Sequence, residues 1–120
     1  MRLNHLDLAV PDVAQTAAFF KAVFGFTEIE TRGRTGAMTI LEGDGFELVL
    51  TRSSPTDAPP YPKTFHVGFL VPTEQGVNDA YARLATAGID PPQAPGIVRG
   101  RLMFYCRAPG GVLVEVSHRP

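Results

Sequence analysis

The sequence predicts an α+β fold in which one β-α-β-β-β unit is written twice. Three observations carry that prediction. First, Asn4-His5-Leu6-Asp7-Leu8-Ala9-Val10-Pro11-Asp12 is answered later in the chain by Phe65-His66-Val67-Gly68-Phe69-Leu70-Val71-Pro72-Thr73. In each copy a valine follows the histidine by five residues, a proline by six and a helix-capping residue by seven. Second, each copy is followed by apolar residues at helical spacing and then by strand-like runs. Third, a stretch with four prolines, residues 53–63, separates the two halves. Its proline content makes it a semi-extended linker between module one, residues 1–52, and module two, residues 64–120.

Taken in order, residues 3–10 alternate, with Leu6, Leu8 and Val10 on one face and Leu3, His5, Asp7 and Ala9 on the other. Pro11 stops this strand, and Asp12 caps a helix with Gln15 at capping-box spacing. Val13, Ala17, Phe20, Val23 and Phe24 form the helix's apolar stripe, and Gly25 ends it. Strands are expected at residues 26–31, 37–42 and 46–52. A turn at 32–36 joins the first two, and Gly43-Asp44-Gly45 joins the last two. In the second half, residues 64–71 alternate, Thr73 caps a helix with Val77, Ala80, Tyr81 and Leu84 inward, and Gly88 closes it. A proline-rich passage, 90–96, precedes a weak strand at 97–98. Strands at 102–107 and 112–118 then flank the turn Ala108-Pro109-Gly110-Gly111.

Composition narrows the function classes. The 120 residues, enough for one domain, carry 11 Lys and Arg against 12 Asp and Glu, a formal charge of -1 with no basic stripe, so no nucleic-acid partner is expected. No apolar run approaches membrane-spanning length, and the N-terminus opens in a strand pattern rather than a signal peptide. Neither a membrane nor export is therefore expected, and cytoplasmic localisation is the default. The single cysteine, Cys106, excludes an internal disulfide or a Cys-x-x-Cys site and reads as a small buried apolar residue.

The faces opposite the strongly apolar ones carry His5, Glu47, His66 and Glu115. A carboxylate among strong apolar neighbours, as in Phe46-Glu47-Leu48 and Val114-Glu115-Val116, costs free energy to bury unless a cation compensates. Two imidazoles and two carboxylates on one side of a sheet system form an N/O site suited to Zn, Ni, Co, Fe(II) or Mn. The plain alternative is that each histidine donates to a nearby carbonyl and each glutamate sits at a solvated rim.

The two His-x-x-φ-φ-Val-Pro strands, the helix ending Phe24-Gly25-Phe26 and the terminal Leu113-Val114-Glu115-Val116 run resemble the vicinal oxygen chelate superfamily over essentially the whole chain. That superfamily includes glyoxalase I, methylmalonyl-CoA epimerase, extradiol dioxygenases, fosfomycin-resistance transferases and bleomycin-resistance proteins. The resemblance implies a glyoxalase-like fold, a tandem of modules in a curved half-barrel mixed sheet with helices on the convex side. It also implies a divalent metal held by His5, Glu47, His66 and Glu115, and a homodimer. The implied activity is that of a glyoxalase-like isomerase or lyase acting on a small oxygen-chelating substrate through an enediolate-like intermediate, with Glu115 moving the proton. The alternatives are a protein that sequesters an antibiotic or natural product and an Fe(II) extradiol-type dioxygenase using His5, His66 and Glu115. Bacterial glyoxalases carry an arginine and an asparagine for glutathione where this chain has Ala9 and Thr51, so a different substrate is expected. The usual Asp-Pro-Asp/Asn-Gly turn is also altered here, to Ala108-Pro109-Gly110-Gly111. No histidine lies between Glu47 and His66 to serve as a dioxygenase's base.

Tyr105, ten residues before Glu115, holds the place of a functional tyrosine in two branches of the family, and is expected to be either catalytic or a strand aromatic at a pocket edge. Asp7 shares a face with His5, and Arg107 with Tyr105. With Arg101 they are candidate substrate-binding residues, ordinary rim charge being the plain alternative. His118, beside the chain end, reads as exposed.

Overall fold

The structure, a computed structural model, describes residues 1–33, 36–54, 61–90 and 93–120. Two compact units emerge, Met1–Pro60 and Tyr61–Pro120. The first runs β1 (His5–Val10), α1 (Val13–Phe24), β2 (Thr27–Arg32), β3 (Met38–Gly43) and β4 (Phe46–Arg52). The second runs β5 (His66–Val71), α2 (Glu74–Thr86), β6 (Gly96–Val98), β7 (Arg101–Arg107) and β8 (Leu113–His118). Each unit is a four-stranded mixed sheet, ordered β1-β4-β3-β2 and β5-β8-β7-β6. In each, the first and last strands pair in parallel, and a helix and two strands make the long crossover that parallel pairing requires. The fold is α+β with a doubled β-α-β-β-β unit, as the sequence predicts. Residues 34–35 of the expected 32–36 turn, residues 55–60 of the expected 53–63 linker and residues 91–92 of the expected proline-rich passage lie outside the described residues.

Local chemistry explains the boundaries. The Asp12 carboxylate accepts from Gln15 N at 2.9 Å, and Thr16 Oγ1 donates to Asp12 O at 2.7 Å. Together they start α1 where Pro11 ends β1. Gly25, at φ +72°, closes the helix, its N–H donating to Lys21 O and that of Phe26 to Phe20 O. Thr73 Oγ1 accepts from Gly76 N at 3.0 Å to start α2, whose C-cap is Ala87, with Gly88 at φ +76° following it. β1 begins at His5 rather than at residue 3, because its ladder starts where Glu47 first stands opposite it.

The core of the first unit is Leu8, Val10, Leu41, Leu48 and Leu50 against Val13, Phe20 and Val23 of α1. In the second unit Phe104, Cys106, Val114 and Val116 meet Val77, Ala80 and Leu84 of α2. Each helix therefore covers one face of its sheet, and the histidine-bearing face is the other one. Cys106 is buried, and burial pushes its thiol up to about 11. His118 is half-buried rather than exposed: it stands on the helix side of β8, opposite Val71, and its Nδ1 is buried without a hydrogen-bond partner among the described residues. Among those residues no helix is long and apolar enough to cross a membrane.

Candidate metal centre

In the second unit, His66 opens β5 and Glu115 lies at the centre of β8, paired with Gly68 on one side and Tyr105 on the other. His66 Nδ1 lies 2.9 Å from Thr64 O. A carbonyl oxygen can only accept, so Nδ1 carries the proton, and the neutral ring keeps its lone pair on Nε2. That Nε2 faces Glu115 Oε2 at 3.6 Å. A lone pair aimed at a carboxylate oxygen is repulsive unless a cation lies with them, either a second proton on the ring or a metal ion. Two donors on one tetrahedral ion, with bonds of about 2.1 Å, stand about 3.4 Å apart, so the observed spacing fits a shared ion. Glu115 is the more enclosed partner, with 18% of its side chain exposed against 43% for His66.

Tyr105 stands directly across from Glu115, and its hydroxyl donates to Glu115 Oε2 at 2.9 Å. That hydrogen bond, with some burial and the carboxylate's charge, raises the phenol above the ordinary tyrosine range. The Tyr105 ring also meets His66 edge-on at 6.1 Å. His66, Tyr105 and Glu115 are thus brought together, as the sequence implies. Arg107 stands level with Leu113 in the rung of His66, but its Nη1 donates to Gly111 O at 2.8 Å, closing its own turn. Arg101 heads β7 at the far end of that strand, about 13 Å from Tyr105 at strand spacing.

In the first unit, His5 opens β1 in the same way, and its Nδ1 lies 2.8 Å from the Asn4 amide oxygen, again leaving Nε2 to face outward. Glu47 stands level with His5, and Glu42 level with Glu47. Glu47 is exposed, so the desolvation cost expected of a carboxylate in Phe46-Glu47-Leu48 does not arise there, whereas Glu115 does bear it in part. Asp7, level with Val49, accepts from Thr51 Oγ1 at 2.8 Å.

The register shows an asymmetry between the repeats. Glu115 is level with the residue two past His66, whereas Glu47 is level with His5 itself. The first-unit counterpart of Glu115 is therefore Val49. The signal is present in the sequence, since Glu47 follows Gly45 by two residues and Glu115 follows Gly111 by four. Among the described residues, no three His, Cys, Asp or Glu groups gather where they could hold a metal ion. A cavity of about 390 Å³ opens between α1 and its sheet, with Asp12, Lys21, Thr39 and Arg52 in its lining, and it contains none of the expected site residues.

Comparison with known proteins agrees with this architecture. Over 97% of both chains the protein is similar to a possible glyoxalase from Bacillus cereus, with 37% identity and a TM-score of 0.81. It is 27% identical over 126 residues to virulence protein STM3117 of Salmonella typhimurium strain LT2, covering 97% of this chain and 83% of that one. A lactoylglutathione lyase from Agrobacterium tumefaciens shares the fold at 20% identity, with a TM-score of 0.76 over 98% of this chain and 92% of its own. The family model for the Glyoxalase/Bleomycin resistance protein/Dioxygenase superfamily matches residues 2–116, nearly the whole length of both repeats, and the chain belongs to that superfamily.

Proposed function

We propose that this protein is a divalent-metal-dependent isomerase or lyase acting on a small substrate that offers two oxygens, with His5, His66 and Glu115 as metal donors. The observation that carries the reading is the lone pair of His66 Nε2 facing Glu115 Oε2 at 3.6 Å, with Nδ1 already committed to Thr64 O. His5 supports it, because its Nδ1 is committed in the same way. Orientation of the far ring nitrogen by an oxygen acceptor is the usual support of a ligating imidazole. A bound divalent ion would supply Lewis acidity toward substrate oxygens.

The chain's own residues account for the rest. Tyr105 holds Glu115 by Oε2, which fixes the carboxylate's rotamer and leaves Oε1 as its atom for taking up and returning a proton. The raised phenol keeps Tyr105 protonated at neutral pH, so it remains a donor throughout. Ala9 and Thr51 supply none of the charge that a glutathione carboxylate would need, which favours a substrate without that group. We infer further that the protein works as a homodimer, as its resemblance to the superfamily implies, and in the cytoplasm, the default that its composition leaves.

Elemental analysis of the purified protein tests the reading. One divalent ion per chain is expected, lost in His5→Ala and in Glu115→Gln; stoichiometric metal persisting in both variants would remove these donors. A second reading, an Fe(II) oxygenase using the same two histidines and one carboxylate, draws on the displacement of Glu47 from the level of Glu115's counterpart. It predicts Fe(II)-dependent oxygen uptake with catechol-like compounds, which the isomerase reading does not.

A further inference from the structure

We propose that the cavity between α1 and the sheet of the first unit is a binding site for a small free amino acid with an apolar side chain. The cavity lies wholly within that unit. Two of its lining residues, Thr39 and Arg52, stand level with the core residues Leu50 and Val10. It therefore opens on the helix side of the sheet, and His5 lies on the other side.

The repeat shows what would fill the space. Level with Leu8, three residues past His5, β3 carries Thr39; level with Phe69, three past His66, β7 carries Phe104. Phe104 is 3% exposed and meets Tyr81 of α2 edge-on at 5.5 Å. Thr39 is also 3% exposed but much smaller, and it lines about 390 Å³ of open volume, within the range of small-molecule sites. Ala14 and Ala17 keep the α1 wall of the cavity short as well.

The lining selects the ligand. Thr31 Oγ1 and Thr39 Oγ1 lie 3.0 Å apart. One hydrogen serves that bond, so the pair keeps a second hydroxyl hydrogen with no acceptor among the described residues. Two acids, Asp12 and Glu28, and two bases, Lys21 and Arg52, also line the cavity. Lys21 and Glu28 are loosely paired at 3.6 Å, each with 43% of its side chain exposed. A purely anionic ligand would meet two carboxylates, and a purely cationic one two cations. A wholly apolar ligand would strip water from the hydroxyls and charges and replace none of its hydrogen bonds. A zwitterion satisfies both signs. Its carboxylate accepts from the hydroxyl and the cations, its ammonium donates to the acids, and its side chain meets Pro11, Val13 and Ala17.

The test is titration of the full chain with L-valine, followed by amide NMR shifts. Beside it run isovalerate, which lacks the ammonium, and isobutylamine, which lacks the carboxylate. L-Valine is expected to give saturable shifts at Ala14, Ala17, Gly36 and Thr39 with a Kd of about 1 mM or tighter, and each analogue to bind at least about tenfold more weakly. Thr39→Phe, which gives the first unit the second unit's side chain, is expected to abolish those shifts. Should that variant fail to fold, Ala14→Leu, at an exposed position lining the same cavity, is expected to weaken binding at least about tenfold. No saturable shift at these four residues, an analogue binding as tightly as L-valine, or full affinity in either variant overturns the assignment.

Discussion

Cys106 shows how position, more than residue type, decides chemistry. Its thiol projects to the helix side of β7, level with Val114, and is 1% exposed. Burial disfavours the thiolate and raises the group from 9.0 to about 11. It should therefore be inert to a thiol reagent at pH 8 and react only once the protein is unfolded. The linkage has a definite sign. With the folded pKa raised, stability is unaffected below pH 9 and falls as pH rises toward 11, by up to about 2–3 kcal/mol. Denaturant melts at pH 8 and pH 10.5 should show that loss in the wild type, and a smaller one in Cys106→Ala. One residue along, Tyr105 points to the open face and meets Glu115 instead. Two neighbours on one strand, with acidities lowered for different reasons, serve packing in one case and the site in the other.

At the scale of elements, tight connections hold the strands in register. The β3–β4 turn places Asp44 at φ +51° and Gly45 at φ +76°, the conformation that matches strand twist in a two-residue hairpin. The β6–β7 turn repeats it with Arg99 and Gly100. Gly43 allows a close approach, since a Cβ there would come within 2.9 Å of Phe26 Cδ1. That contact seats Phe26, which meets Phe20 edge-on at 6.0 Å, just past the end of α1. Gly25 serves conformation alone: it has positive φ, and an added Cβ would meet nothing within 4 Å. Gly25→Ala is accordingly expected to cost about 1 kcal/mol, read as a lower denaturation midpoint with an unchanged slope.

For the molecule as a whole, the doubling is itself a source of prediction. The repeats match in element and strand order but not at the acid: Glu115 stands two residues past the level of His66, and Glu47 at the level of His5. Moving the acid to the second unit's level, in the double variant Glu47→Gln/Val49→Glu, is therefore expected to raise Co(II) affinity above that of Glu47→Gln alone. A double variant no tighter than Glu47→Gln in a Co(II) titration would argue that the level of the acid is not what matters.

The sequence by itself determined the doubled module, the order of elements, both N-caps and the face on which each histidine lies. These depend on short-range chemistry: a period of two, a proline, a capping oxygen three residues from its donor. It also brought Tyr105, His66 and Glu115 onto one list. Only the tertiary structure decided which side chain stands level with which. Parity along β4 puts Glu47 and Val49 on the same face, and the spacing from the preceding turn glycine is the one local sign of which of them answers Glu115. That choice follows from the register between β1 and β4, some forty residues apart in the chain, which is set by the hairpin turns and by packing of Leu48 and Leu50 under α1. The hydroxyls that orient Asp7 and Glu115 come from neighbouring strands for the same reason, and no periodicity in a single strand could have announced them.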